Sequence, residues 1–209
     1  MTQLTFGEEV GNTITHGVMS VLVLLLLPVS AIYTYIQGGW LYGIGTSIFM
    51  ISLFLMFLIS ALYHSMQFSS SQKYVFRILD HSCIFIAIAG TYTPIVLCVM
   101  SGWQQIILLL MEWGTVLLGI LYKSIAQKSN MKLSVIIYLA MGWIAILFLP
   151  SLLASTTWHF MALILLGGIL YSIGIVFYSQ KTKYFHMIWH IFIDLASISH
   201  MIAIIFFLI

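Results

Sequence analysis

The sequence predicts an all-α integral membrane protein: a seven-transmembrane helix bundle with a cytoplasmic N-terminus and an extracytoplasmic C-terminus. Three observations carry this. Of 209 residues, 62% are hydrophobic and only 6% charged, against about 25% charged in soluble domains, so no water-soluble fold could cover so much apolar surface. The apolar residues fall in runs of the roughly 20 that a spanning helix needs. They do not form the alternating segments of about 10 residues that build a membrane β-barrel. All seven Lys and Arg fall in alternate loops, which the positive-inside rule makes cytoplasmic.

Taken in order, the runs lie at about 14–36, 42–65, 77–100, 104–122, 133–153, 158–179 and 186–209. Ahead of the first stand Glu8 and Glu9, without a basic leader or a small-residue cleavage pattern, so no cleaved signal peptide is expected. Gln37-Gly38-Gly39 supplies the turn into the second run. The loop after it carries Ser69-Ser70-Ser71-Gln72 with Lys73 and Arg77. The third run holds both cysteines, Cys83 and Cys98, too far apart along one helix to bridge. Ser101-Gly102 turns the chain into the fourth run, and a polar stretch with Lys123, Lys128 and Lys132 separates that from the fifth. Lys181 and Lys183 precede the seventh. No repeat or second domain interrupts residues 1–209. Trp40, Tyr42, Trp103 and Tyr184 stand at run ends as interfacial anchors. Gly114, Gly119, Gly167, Gly168 and Gly174 are expected to permit close helix packing.

This topology gives each polar residue a depth, at about 1.5 Å of rise per residue. His16, His64, Asp80, His81, His186 and His190 all fall in one slab of the cytoplasmic leaflet, while His159 starts the sixth run on the outer side. Ionisable groups in a membrane are costly and face the protein interior or a water-filled cavity. His186 and His190, four apart, share one helix face. A catalytic zinc keeps three protein ligands and one open position, and His64, His186 and His190 would supply the three. Asp80 could then hydrogen-bond the water on the metal or orient a ligand, and Ser60, one turn before His64, would point into the same site. Plainer readings stand beside this one. His16 could be an interfacial residue at a helix start capped by Thr13 or Thr15, His159 an interfacial residue, His81 a helix-start polar group and Cys83 a small buried hydrophobe. Glu112 and Asp194 lie within their helices with no evident basic partner, and His200 lies deeper on the seventh.

Four stretches carry a resemblance. Glu8-Glu9-Val10-Gly11-Asn12-Thr13-Ile14-Thr15-His16-Gly17 comes first, then Ser60-Ala61-Leu62-Tyr63-His64. Leu79-Asp80-His81-Ser82-Cys83-Ile84-Phe85, continuing to Thr93-Pro94, is the third, and His186-Met187-Ile188-Trp189-His190 with His200 is the fourth. In this order they resemble bacterial hemolysin III-type proteins and the wider progestin and adipoQ receptor superfamily, relatives of the alkaline ceramidases. The resemblance implies a zinc ion near the cytoplasmic face held by His64, His186 and His190, with Asp80 contacting its water. It also links the chain to hydrolysis of lipid amides such as ceramide. The chain departs from the bacterial pattern at Asp194, where an apolar residue is expected.

The resulting expectation is a zinc-dependent hydrolase of lipid amide or ester bonds in the bacterial plasma membrane. Asp80 would act as general base or water-positioning group, with help from Ser60 or His81. Its partners would be membrane lipids, with the substrate entering laterally from the inner leaflet; no nucleic-acid partner is expected. The rivals are a non-enzymatic sensor or homeostasis protein with a structural zinc and a cytolytic pore. Ionisable groups gathered at one depth argue against a pore or a transporter, although Glu112, Asp194 and His200 could extend a proton route.

Overall fold

The computed structural model describes residues 4–126 and 130–209; Lys128, one of the basic residues in the topology argument, lies outside them. The described residues form α1 (Phe6–Ser65), α2 (Ser71–Val99), α3 (Gly102–Ile125), α4 (Met131–Trp143), a 3-10 turn (Ile144–Phe148), α5 (Leu149–Ser155), α6 (Trp158–Tyr178) and α7 (Phe185–Phe207), with no strand among them. Six helical stretches are long and apolar enough to cross a membrane, α4 through α5 counting as one.

α1 begins earlier than the apolar run, because Thr5 and Glu8 make a reciprocal capping box that satisfies donors a helix start leaves open. It is not one rod. Gly39 takes φ 79° and ψ −168°, a conformation open to glycine and strained for other residues, and the two arms fold back on each other. A Cβ at Gly43 would lie 3.0 Å from that of Tyr35, one at Gly17 3.9 Å from that of Ala61, and the Asn12 amide lies 3.4 Å from a His64 nitrogen. Residue pairs that close on position 39 from both sides describe an antiparallel hairpin.

Elsewhere the ends follow the local sequence. Ser70 caps α2, Asn130 caps α4 and Thr157 caps α6, each accepting from backbone N–H groups of the first turn. The run predicted as one helix over 133–153 is broken into α4, a 3-10 turn and α5. Pro150 explains the break: its ring lacks an N–H and crowds the carbonyl four residues back, so the backbone tightens over Ile144–Phe148 before α5 restarts.

α1, α2 and α7 bury about half or more of their most apolar stretch, whereas α3, α4–α5 and α6 bury about a fifth. The first three form the centre, and the others present Leu and Ile outward, as to lipid. The core is built from Phe49, Met50, Leu53 and Phe57 of α1, Val96 of α2 and Ile204 of α7. Of the glycines expected at close contacts, Gly119 faces the Phe85 ring, Gly167 the His200 ring and Gly174 Phe192 and Trp189, while Gly114 has none of the described residues within 4 Å of where a Cβ would stand. Gly114 is not a packing glycine.

Candidate metal centre

His64 occupies the last turn of α1, just before the chain becomes extended at Met66. α7 starts after Tyr184, whose left-handed φ of 64° turns the chain sharply into the bundle. His186 and His190 then fall in its first two turns on one face. One ring nitrogen from each of His64, His186 and His190 lies within 4.8 Å of the other two, a group able to hold a metal ion. The Nε2 atoms of His64 and His186 face each other at 3.3 Å. His190 is fully buried, and its Nε2 has no hydrogen-bond partner among the described residues. A buried imidazole nitrogen without a partner is costly, and converging lone pairs of neutral imidazoles suit a cation. The donor set therefore fits a metal.

Asp80 and Ser60 sit beside this group without joining it. Both are buried, Ser60 stands near the Asp80 carboxyl, and both line one partly open cavity. That cavity, of about 230 Å³, also meets His16 near the cluster and reaches Tyr92, Phe160 and His200. Its walls are mostly apolar side chains of α2, α4, α6 and α7.

The sequence leaves His16 as either an interfacial residue or a supporting one. It is buried and stacks on His190, ring centroids 3.6 Å apart and planes 7° from parallel. Neither of its nitrogens has a hydrogen-bond partner among the described residues, and its Nε2 lies 3.8 Å from Asp194 Oδ1. Thr13 and Thr15 do not cap a helix start there, since α1 begins at Phe6. Their hydroxyls donate to the carbonyls of Glu9 and Gly11, and Thr15 also approaches His190 Nδ1 at 3.4 Å. His81 stands outside the three-histidine group, and its backbone carbonyl accepts from the Tyr138 hydroxyl. His159 is exposed at the start of α6 between Trp158 and Phe207. His200 lies against the Ile164 carbonyl at 3.2 Å, and Glu112 is buried on the inner stripe of α3.

The sequence reading missed a set of polar residues behind the cluster. Glu9 Oε2 lies 2.6 Å from His64 Nδ1, and Glu9 Oε1 accepts from Lys73 Nζ at 2.7 Å. Glu8 accepts from the backbone N–H of Tyr184 at 2.8 Å. Burial pushes both carboxyls up, but the hydrogen bonds outweigh it and hold both below their ordinary range. Those bonds come from Tyr184 and Thr5 at Glu8, and from His64 and Lys73 at Glu9. A usable signal was that Glu9 and Lys73 stand, by sequence, at the same end of the bundle as His64.

The chain matches the family described as Haemolysin-III related over residues 4–201. It is 36% identical over 196 residues to Hemolysin-3 of Bacillus cereus, which covers 92% of this chain and 89% of that protein. It is also 36% identical over 204 residues to the Hemolysin-3 homolog of Bacillus subtilis (strain 168), with 97% and 95% covered. A more distant relative is the human Monocyte to macrophage differentiation factor, 25% identical over 176 residues, with 79% of this chain and 68% of that protein covered. No solved structure matches the chain. With these matches and its apolar helices, the chain is a multi-pass protein of the bacterial plasma membrane and belongs to the haemolysin-III related family.

Proposed function

We propose that this protein is a zinc-dependent hydrolase of lipid amide or ester bonds, working at the cytoplasmic leaflet. The observation that supports it most is the position of the three-histidine group beside a long apolar cavity whose near end carries Asp80 and Ser60. Two nitrogens on a tetrahedral zinc, each about 2.0–2.1 Å from the ion, stand roughly 3.3–3.4 Å apart. The His64 and His186 Nε2 atoms stand 3.3 Å apart. His64, His186 and His190 would hold the ion. When bound, zinc supplies Lewis acidity, lowering the pKa of water towards about 7 and polarising a carbonyl. Asp80 takes the proton of the attacking water and returns it to the leaving amine or alkoxide, and Ser60 orients Asp80. The apolar cavity accepts a lipid chain that enters sideways from the inner leaflet.

The same reading includes seven spans with the N-terminus inside. A continuous 60-residue α1 would measure about 90 Å, three times a hydrocarbon core of about 30 Å. The fold at Gly39 supports reading its two arms as two spans.

Elemental analysis of purified protein, with hydrolysis of a fluorescent ceramide and of an ester analogue in mixed micelles, tests the proposal. Wild type is expected to carry one zinc per chain and to turn over one of the two lipids. His64→Ala is expected to lose both properties, and turnover intact in a metal-free His64→Ala protein would sink the reading. A second reading rests on the cluster joining the end of α1 to the start of α7: a structural zinc that ties these helices in a membrane sensor. Bound zinc with no turnover, and a melting temperature that falls on chelation, would favour it.

A further inference from the structure

We infer that Glu9 is a positioning residue for the metal site, fixing His64 in the tautomer whose Nε2 is free to bind. This rests on the zinc reading above and deepens it. A neutral imidazole carries one proton, and which nitrogen holds it is set by the hydrogen bond the other nitrogen makes. Glu9 Oε2 stands 2.6 Å from His64 Nδ1. An ionised carboxylate can only accept, so the proton belongs on Nδ1 and the lone pair on Nε2, the atom that faces His186 Nε2. Without this constraint His64 could carry its proton on Nε2 and bond to His186 directly, closing the site to a metal.

Three further residues support this arrangement. Lys73, itself buried, donates to the second carboxylate oxygen at 2.7 Å and to the Met66 carbonyl at 3.1 Å, so Glu9 is held ionised and its rotamer is fixed. Glu8 binds the Tyr184 N–H, locking the first turn of α1 against the start of α7, where His186 and His190 are carried. Asn12 Nδ2 lies 3.4 Å from the same His64 nitrogen while its Oδ1 has no partner among the described residues. Exchanging the two amide atoms, which is a matter of assignment, would give Nδ1–H a second acceptor.

A carboxylate behind a ligating histidine fixes its ring and raises its basicity, and losing such a partner costs about 10–100-fold in metal affinity. The test is chelator competition for zinc, with cobalt(II) substitution for a visible spectrum, on monodisperse wild type, Glu9→Gln and Glu9→Asp. Glu9→Gln is expected to lose about 10–100-fold in zinc affinity and to shift the cobalt bands, and Glu9→Asp to recover most of the affinity. Affinity within twofold of wild type in Glu9→Gln overturns the assignment. So does a loss with unshifted bands that Glu9→Asp fails to recover, which would make Glu9 a structural tie. Wild type taking up neither metal overturns the zinc reading itself, a different outcome from either.

Discussion

His16 stacks face to face on His190, yet neither of its nitrogens belongs to the group that can share an ion. What it offers the site is a flat ring that holds the His190 plane, with Phe57 against its edge. A phenyl ring can do this without leaving two buried nitrogens unpartnered, a cost of about 1–3 kcal/mol per unsatisfied group. His16→Phe is therefore expected to keep zinc at the wild-type stoichiometry and to melt no earlier, as measured by elemental analysis and thermal denaturation in detergent. Loss of zinc would make His16 a fourth ligand. That His64, His186 and His190 come together was legible in the sequence, because helix period and topology place each at a depth and on a face. The Glu9 link was harder to read: 55 residues separate it from His64 and 64 from Lys73, and no local period connects them. The stack of His16 on His190 depends on how closely the first arm of α1 approaches α7, which is a property of packing.

At Gly45, in the second arm of α1, the backbone of α2 comes close: a Cβ there would lie 2.7 Å from Pro94 Cα and 3.3 Å from Pro94 N. Both are backbone atoms, so the helices would have to separate. Overpacking of this kind costs about 1–3 kcal/mol, and Gly45→Ala is expected to lower the melting temperature. Gly114→Ala is the matched control. It lies within α3 with no neighbour inside 4 Å of the new methyl, and alanine exceeds glycine in a helix by about 1 kcal/mol. It should melt at or above wild type, and the opposite order for the two variants would contradict the packing described for α1 and α2. Helix existence was legible from the apolar runs, and Gln37-Gly38-Gly39 marked the turn inside α1. Two features escaped. The start of α1 at Phe6 depends on a polar capping box ahead of the apolar run, and the 3-10 interruption before Pro150 is masked because hydropathy does not fall there. Glycine content likewise could not separate Gly45, pressed against a backbone, from Gly114, which faces open space.

At the scale of the whole molecule, charge and chemistry gather at one end of the bundle. Lys73 opens α2, Lys123 closes α3, Lys132 opens α4, and Lys181 with Lys183 joins α6 to α7. The three-histidine group lies at this same end, where α1 stops and α7 starts. The opposite end holds the Gly39 fold, the α2–α3 turn and the last residues of α7. There Thr157 donates to the Phe207 carbonyl, and a Cβ on Gly38 would touch Ile209. Lys and Arg near span ends set orientation, so the basic end should face the cytoplasm, and a hydrolase there would meet lipids of the inner leaflet. Both native thiols, Cys83 and Cys98, lie in α2, the first buried and the second half-buried, so alanine at both positions gives a clean background. In that background Ser101→Cys, exposed at the non-basic end, should react with a membrane-impermeant maleimide in intact cells. Ser179→Cys, exposed beside Lys181, should react only after permeabilisation. The reverse pattern would turn the bundle over and move the histidine group to the outer leaflet. It would leave the metal chemistry possible but exclude an inner-leaflet substrate.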